Sequence, residues 1–123
     1  MHWTVLFHTA FEPEFAGLPD VVQDELLAQV RLLERFGPQL GRPRVDTLKG
    51  SKHANMKELR FDASDGVWRV AFAFDPERQA ILLVAGDKAG TGAKRFYKQL
   101  ILKADARFDA HRQHLEAHSR GRR

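Results

Sequence analysis

The sequence has no cysteine, and this absence excludes several kinds of site. A disulfide framework, a thiolate zinc site, an iron–sulfur cluster and a cysteine nucleophile each need at least one thiol group. No apolar run approaches the roughly 18 residues of a membrane-spanning helix, and residues 1–10 lack the basic start and long apolar stretch of a secretory signal. We therefore expect a soluble protein of a reducing compartment, with cytoplasmic localisation and no membrane partner.

The chain has 123 residues, which is the usual size of one domain and too short for a cleft between two domains. Its hydrophobic content of 43%, with nine phenylalanines, is sufficient to build a core. We assign residues 1–118 to a single domain and residues 119–123 to a basic disordered tail.

Charge is distributed unevenly along the chain. Residues 1–87 carry ten basic and thirteen acidic side chains, whereas residues 88–123 carry ten basic and only three acidic ones. The C-terminal part therefore has a net charge of +7, against −3 for the rest. A basic surface on a small domain indicates an anionic partner, which is either a nucleic acid or an acidic protein surface.

Hydrophobic spacing predicts a small α+β domain. Apolar residues recur every three or four positions along one segment, as on a helix face, and β-branched and aromatic residues form short runs typical of strands. Short turn-like connections favour an antiparallel meander in a small curved sheet, on which the helices pack. The predicted elements are a strand over 3–7, a loop over 8–19, a helix over 20–36, a short strand near 45–48, strands over 55–62, 67–75 and 80–85, and a helix over 91–118.

Two neighbouring strands place arginines on one face of the sheet. Because strand residues alternate between faces, Arg60 and Arg69 lie opposite to the apolar residues around them. A tight turn would bring the two arginines directly across from each other, where like charges destabilise a sheet unless an anion or carboxylate lies between them. The small side chains of Ala71 and Ala73 would leave an open concavity that suits a phosphate. In the alternative interpretation, Glu58 on the same face neutralises one arginine.

Further basic and aromatic residues flank this face. Cleavage of RNA by general acid–base catalysis needs groups that deprotonate a 2′-hydroxyl, hold the nonbridging phosphate oxygens and protonate the leaving 5′-oxygen. Lysine, arginine and tyrosine can supply these functions, so the chemistry demands no metal and we predict no cofactor. The flanking residues are Lys49, Lys52, His53 and Lys57 upstream, and Lys88, Lys94, Arg95 and Tyr97 after the last strand.

The last predicted helix carries three histidines, at positions 111, 114 and 118. The spacing of the last two fits a pair of zinc ligands, but no cysteine or well-placed carboxylate completes a site. We interpret these histidines as solvated helix surface.

Five stretches of the sequence, in this order, resemble the RelE/ParE superfamily of bacterial toxins and specifically its HigB-like, phage-related branch. The resemblance implies a RelE-like microbial RNase fold, a toxin that cuts mRNA in the ribosomal A site, and an antitoxin that is usually a helix-turn-helix repressor. The stretches cover about half of the chain and are 48–51 (LKGS), 57–61 (KELRF), 68–76 (WRVAFAFDP), 82–88 (LLVAGDK) and 95–97 (RFY) with the helix through residue 109.

The resemblance also implies roles for individual residues. Arg69 matches the phosphate-holding arginine, and Lys57 and Arg60 fall in the strand that carries basic catalytic residues in this superfamily. Lys88 and Tyr97 correspond to its second basic group and to its aromatic residue for base stacking or proton transfer. The predicted catalytic residues are Lys57, Arg60, Arg69, Lys88 and Tyr97, and the predicted RNA-binding residues are Lys49, Lys52, His53, Lys94 and Arg95.

Two positions depart from the family pattern. Glu58 stands where RelE-like members have another basic residue, and no histidine follows the last strand where some HigB relatives have one. Either difference would fit weak activity, altered chemistry or a binding role without cleavage.

The implied function is that of a type II toxin, a ribosome-dependent mRNA endoribonuclease that inhibits translation. Its partners would be mRNA, the ribosome and a HigA-like antitoxin, in a toxin–antitoxin hetero-oligomer. The alternatives are a ParE-like topoisomerase poison and an inactive phage-derived binding module. The antitoxin would cover either the arginine-lined concavity or the region 12–34, where six acidic side chains and Arg31 give a net charge of −5.

Overall fold

The computed structural model describes residues 2–120, which form one sheet with helices on both of its faces. This architecture confirms the predicted α+β class. Residues 121–123 of the predicted tail lie outside the described range. The elements are β1 (Thr4–Phe7), α1 (Phe11–Ala16), α2 (Asp20–Phe36), a 3-10 turn (Gly37–Gln39), β2 (Val45–Thr47), β3 (Met56–Ala63), β4 (Gly66–Phe74), β5 (Gln79–Asp87) and α3 (Ala93–Arg120).

The sheet has the strand order β1-β5-β4-β3-β2. Strands β2 to β5 pair antiparallel, as the short connections between them predict, whereas β1 pairs parallel with β5. The sheet is therefore mixed rather than wholly antiparallel. The difference arises because β1 and β5 are far apart in the sequence, and only the intervening chain, not a local turn, sets their relative direction.

The two faces of the sheet carry separate cores. Helices α1 and α2 cover one face with residues such as Phe11, Leu26 and Leu33, and α3 covers the other with Phe96, Leu100 and Phe108.

The structure contradicts the prediction that Ala71 and Ala73 of β4 line an open concavity. Ala71 and Ala73 are fully buried in the core beneath α3. Their small side chains provide a flat floor on which a helix can pack closely, so the space above them is filled rather than empty. The arginine-bearing part of this face therefore lies beyond the alanines, toward the start of β4.

The predicted loop over residues 8–19 contains the short helix α1. Phe11, its first residue, is fully buried and stacks on Phe7 of β1. Pro13 occurs in the first turn, where a missing backbone N–H costs no helical hydrogen bond. The proline that favours a loop in the sequence is thus compatible with a helix start.

Three side-chain contacts fix the middle of α3. Arg107 donates hydrogen bonds to both carboxylate oxygens of Glu14. His111 contacts the buried carboxylate of Asp75 at 2.8 Å, and His53 contacts Asp109 at the same distance. His111 is therefore an anchor of the helix rather than solvated surface. Within residues 2–120, no helix combines the length and apolar character needed to cross a membrane.

Candidate active site

The hairpin between β3 and β4 sets the register of the candidate site. Ser64 and Asp65 both have positive φ angles, and they connect the paired residues Ala63 and Gly66. A two-residue turn of this type matches the twist of antiparallel strands. The resulting register places Arg60 directly opposite Arg69, as the sequence predicts.

A buried polar cluster lies where β3, β4 and α3 meet. Glu58 and Arg69 are each only 7% exposed, and Nε of Arg69 lies 3.4 Å from Oε1 of Glu58. The hydroxyl of Tyr97 donates a hydrogen bond to the same carboxylate oxygen at 2.8 Å and accepts one from Nε of Arg69 at 3.3 Å. The alternative interpretation, in which Glu58 neutralises one of the two arginines, therefore holds for Arg69. We call these three residues the Glu58–Arg69–Tyr97 cluster.

Arg69 retains unused donor capacity in this cluster. Its Nη1 donates to the backbone carbonyl of Trp68 at 2.9 Å, whereas its Nη2 has no hydrogen-bond partner among residues 2–120. A guanidinium group donates through several N–H groups in a fixed plane and binds phosphate oxygens well. Arg69 can therefore accept an anion without losing the contacts that hold it in place.

Tyr97 is a proton donor at neutral pH. Burial and the hydrogen bond to Glu58 raise the pKa of the Tyr97 hydroxyl, and Arg69 opposes this shift only in part. Lys88 places its Nζ over the Tyr97 ring, 5.6 Å from the ring centroid. Two cationic side chains thus flank the phenol, and the charge of Arg69 would stabilise a negative charge on its oxygen.

Asp87 fixes the turn that carries Lys88. Its Oδ1 accepts backbone hydrogen bonds from Val67 at 3.0 Å and Ala89 at 2.9 Å, which join the start of β4 to the chain after β5. The absence of a side chain at Gly86 lets α3 approach, because a Cβ there would lie 2.8 Å from the ring of Phe96. Tyr97 follows Phe96 and so reaches the cluster.

Four arginines line a cleft of about 530 Å³ beside the cluster. Arg60 and Arg69 come from the paired strands, and Arg42 and Arg44 come from the loop before β2. We call this feature the arginine cleft. Arg42 and Arg44 are absent from the sequence-based prediction, although the segment Gly41-Arg-Pro-Arg44 is an exposed basic loop whose composition offered a signal. The remaining lining residues are Gln29, Pro43, Phe61 and Asp62.

Lys57, although predicted as catalytic, lies on the other face of the sheet. It is paired with Phe72, which belongs to the core beneath α2, and it alternates with Glu58 along β3. The sequence pattern already contained this information, because Lys57 has the same parity as the buried Leu59 and Phe61.

Most of the predicted RNA-binding residues lie outside the cluster. Lys52 and His53 both contact Asp109, which is twelve positions, or about 18 Å, along α3 from Tyr97. Asp109 binds Lys52 so closely that the pKa of its carboxyl group is lowered and that of Lys52 is raised. Lys49 is exposed and lies upstream of this contact. Lys94 and Arg95 are also exposed, and they lie in the first turn of α3 beside Tyr97.

Comparisons with known proteins agree with this architecture. Residues 13–109 match the family described as phage-derived protein Gp49-like (DUF891). The chain is 47% identical over 97 residues to the candidate toxin HigB2 of Mycobacterium tuberculosis, with 77% of this chain and 47% of HigB2 covered. It is 55% identical over 78 residues to the candidate toxin HigB3 of the same organism, with 63% of this chain and 66% of HigB3 covered. The chain thus spans about half the length of HigB2.

Two solved structures share the fold at low sequence identity. A mutant of the Escherichia coli toxin RelE in the free state has a TM-score of 0.57 and 14% identity, with 84% of this chain and 97% of that chain covered. RelE in the archaeal RelE–RelB complex of Pyrococcus horikoshii has a TM-score of 0.52 and 19% identity, with 74% and 100% covered. These likenesses show the fold, and the family match over most of the chain shows that it belongs to the phage-derived Gp49-like family.

Proposed function

We propose that this protein is the toxin of a type II toxin–antitoxin system and that it cleaves mRNA on the ribosome without a metal ion. The observation that carries the proposal is the Glu58–Arg69–Tyr97 cluster, whose Arg69 also lines the arginine cleft. A base, a phosphate-binding cation and a proton donor then share one hydrogen-bonded group. These are the functions that cleavage through a 2′-hydroxyl requires.

In the proposed reaction, Nη2 of Arg69 holds a nonbridging oxygen of the scissile phosphate. Glu58 accepts the proton of the 2′-hydroxyl, whose oxygen attacks the phosphorus and forms a 2′,3′-cyclic phosphate. Once protonated, Glu58 is a weaker acceptor, so the Tyr97 hydroxyl is free to donate its proton to the leaving 5′-oxygen. Arg69 stabilises the phenolate that this step produces.

This assignment gives Glu58 a role that the family resemblance did not suggest. A carboxylate in place of a basic residue departs from the RelE pattern, but a buried carboxylate beside an arginine is a suitable general base. Glu58 can serve because its contact with Arg69 at 3.4 Å is long and leaves its second oxygen without a hydrogen bond to any residue among 2–120. The departure therefore fits altered chemistry rather than loss of activity.

The proposed partner is a cognate antitoxin, and the surface of α2 is suited to bind it. Asp20 and Asp24 are exposed next to the apolar side chains of Val21 and Leu27, which are 57% and 41% exposed. Glu14 and Glu25 of this region are engaged internally, by Arg107 and Gln29 respectively. A basic segment with apolar residues would complement this surface. The archaeal structure of similar fold is itself a RelE–RelB complex.

The test is induction of the protein in a bacterial host, followed by primer extension on cellular mRNA. We expect cuts in phase with codons in the wild type and roughly a hundredfold slower cutting with Arg69→Ala or Glu58→Gln. Because Arg69→Ala leaves Glu58 buried without its cation, Arg69→Lys and a thermal melt separate loss of chemistry from loss of folding.

Two other outcomes would contradict the nuclease assignment. Growth arrest with intact mRNA and a DNA-damage response would identify a topoisomerase poison instead. Equal cutting by wild type and both variants would remove the roles given to Arg69 and Glu58. Restoration of growth by the neighbouring gene would support the antitoxin, whereas a neighbour that neither rescues growth nor co-purifies would contradict it.

A further inference from the structure

The arginine cleft extends well beyond the residue that contacts the reacting phosphate. The backbone N–H of Arg60 donates to the carbonyl of Arg44 at 2.8 Å, which fixes the loop against the edge of β3. Arg60 in turn pairs with Arg69 across β3 and β4. Neighbouring strands are about 4.8 Å apart, so the backbone of Arg44 lies roughly 10 Å from that of Arg69. Arg69, Arg60 and Arg44 thus follow one another across β4, β3 and the loop before β2, and all three line the cleft.

We propose that Arg42 and Arg44 bind a second phosphate of the substrate, on the nucleotide next to the scissile one. Arg69 is held beneath α3 by Glu58 and the carbonyl of Trp68, so it serves the reacting phosphate. The loop arginines lie about two strand spacings away and serve the neighbouring phosphate. The ligand is therefore single-stranded RNA held by two consecutive phosphates. This inference rests on the proposed function for the identity of the polymer.

The charges in the cleft are incompletely neutralised. Asp46 lies 3.8 Å from both Nε of Arg42 and Nη1 of Arg60, which is a long contact for an ion pair. Arg44 is exposed and has no ion-pair partner among residues 2–120. Exposed pairs at this distance contribute little to stability, so a phosphate can displace Asp46 at low cost. The loop arginines are available to a ligand.

Gln29 borders the cleft from α2 with an amide that is only partly hydrogen-bonded. Its side chain lines the cleft, is 7% exposed, and donates from Nε2 to Glu25 at 3.0 Å. Its Oε1 is buried and has no hydrogen-bond partner among residues 2–120. A ribose hydroxyl or a base amino group would offer the donor that Oε1 lacks if the Gln29 amide turned toward a nucleotide bound in the cleft.

The test measures binding without cleavage. Oligodeoxynucleotides lack the 2′-hydroxyl and cannot react, and a dinucleotide, a trinucleotide and a tetranucleotide carry one, two and three internal phosphates. We expect the trinucleotide to bind the wild-type chain about tenfold more tightly than the dinucleotide in a chemical-shift titration. The variant Arg42→Ala/Arg44→Ala should lose this gain and reduce the slope of log affinity against log salt by about 0.7.

Two control variants test whether the loss of trinucleotide binding is specific to Arg42 and Arg44. Arg31→Ala removes an exposed arginine from α2 and should retain the trinucleotide gain, with all melting temperatures unchanged. Asp46→Asn should tighten trinucleotide binding roughly twofold, because it removes the competing carboxylate. In ribosome-dependent cleavage, the double variant should raise KM with little change in kcat, whereas Arg69→Ala lowers kcat.

The inference is wrong if the double variant retains the trinucleotide gain, or if it weakens dinucleotide and trinucleotide equally. Binding of inorganic phosphate with the same dependence on Arg42 and Arg44 as the trinucleotide would also overturn it, since an isolated anion site would explain both. Absence of cleavage on ribosomes, with the trinucleotide gain intact, would contradict the proposed function and leave the second-phosphate site standing.

Discussion

Two arginines lie between α3 and the rest of the molecule, Arg107 on the helix itself and Arg69 on β4 beneath it, and their surroundings differ. Arg107 donates to both oxygens of Glu14 at 2.6 and 2.8 Å and to the carbonyl of Leu83 at 2.7 Å. Arg69 reaches Glu58 only at 3.4 Å, shares its Nε with Tyr97 and keeps Nη2 without a hydrogen-bond partner among residues 2–120. The first arginine has short, paired contacts with its carboxylate, whereas the second has a long contact with its carboxylate and a spare donor.

The difference fits a structural role for Arg107 and the proposed ligand-binding role for Arg69. Two parallel hydrogen bonds between an arginine and a carboxylate fix the orientation of both groups and strengthen their contact. A ligand could bind Arg107 only by breaking its pair with Glu14. Glu58 and Arg69 are more deeply buried than Glu14 and yet less completely satisfied, which is a cost to the folded state. Such incomplete satisfaction is expected where the missing partner is a substrate.

The comparison of Arg69 with Arg107 predicts its largest effect on the cleavage rate, when the hydroxyl of Tyr97 beside Arg69 is removed. Tyr97→Phe keeps the ring near Lys88 but removes the donor to Glu58 and the proposed proton source. We expect kcat for mRNA cleavage to fall by roughly a hundredfold, with the affinity for oligodeoxynucleotides unchanged. Single-turnover cleavage on programmed ribosomes measures the rate.

The aromatic alternative for Tyr97 has a different outcome. If the side chain serves only to stack on a base, Tyr97→Phe retains full activity and Tyr97→Ala loses it. Lys98→Ala, one position later on the exposed side of α3, is the control for general effects on this helix.

A smaller effect is expected from Arg107, on stability rather than on chemistry. Arg107→Ala removes the contacts to Glu14 and to the carbonyl of Leu83, and we expect a loss of about 1–2 kcal/mol in the free energy of unfolding. The melting temperature should fall by roughly 5 °C, while kcat of the folded protein stays unchanged. A loss of kcat at unchanged stability would reverse the roles of the two arginines.

The stabilisation by the contact of Arg107 with Glu14 should decrease as the pH falls. The hydrogen bond from Arg107 lowers the pKa of Glu14 in the folded state. Its stabilising contribution is therefore present above the pKa of the unfolded carboxyl group and is lost as the pH falls through the lower folded value. The difference in melting temperature between wild type and Arg107→Ala should shrink below about pH 4. It should not vanish, because the contact with Leu83 does not titrate.

The strand register and the identity of the central arginine could be predicted from the sequence. Alternation along β3 and β4, with a tight turn between them, is sufficient to place Arg60 opposite Arg69. The position of α3 could not be predicted in the same way, because no local pattern states which face a distant helix covers. For that reason the strand pattern alone predicts an open surface at Ala71 and Ala73 and does not reveal the contact of Tyr97 with Glu58.

The loop arginines illustrate a second limit. Arg42 and Arg44 precede β2, a strand of three residues, and only the backbone contact with Arg60 brings them to the site. Such a contact between chain segments depends on the tertiary fold. The composition of the loop shows that it is basic, but only the three-dimensional structure shows that it lies beside Arg60 and Arg69.

The smallest effect is expected at Lys57, which the resemblance placed among the catalytic residues. Lys57 adjoins Glu58 in the sequence, but alternation directs it to the face that α2 covers. Lys57→Ala should therefore leave cleavage within about twofold of the wild type, since surface substitutions away from a site change little. Arg60→Ala, three positions later and on the opposite face, is the matched comparison and should weaken binding of RNA. The same ribosome assay measures both variants. If Lys57→Ala lost as much activity as Arg69→Ala, the substrate would have to contact Lys57 as well as the Glu58–Arg69–Tyr97 cluster, and the proposed site would be incomplete.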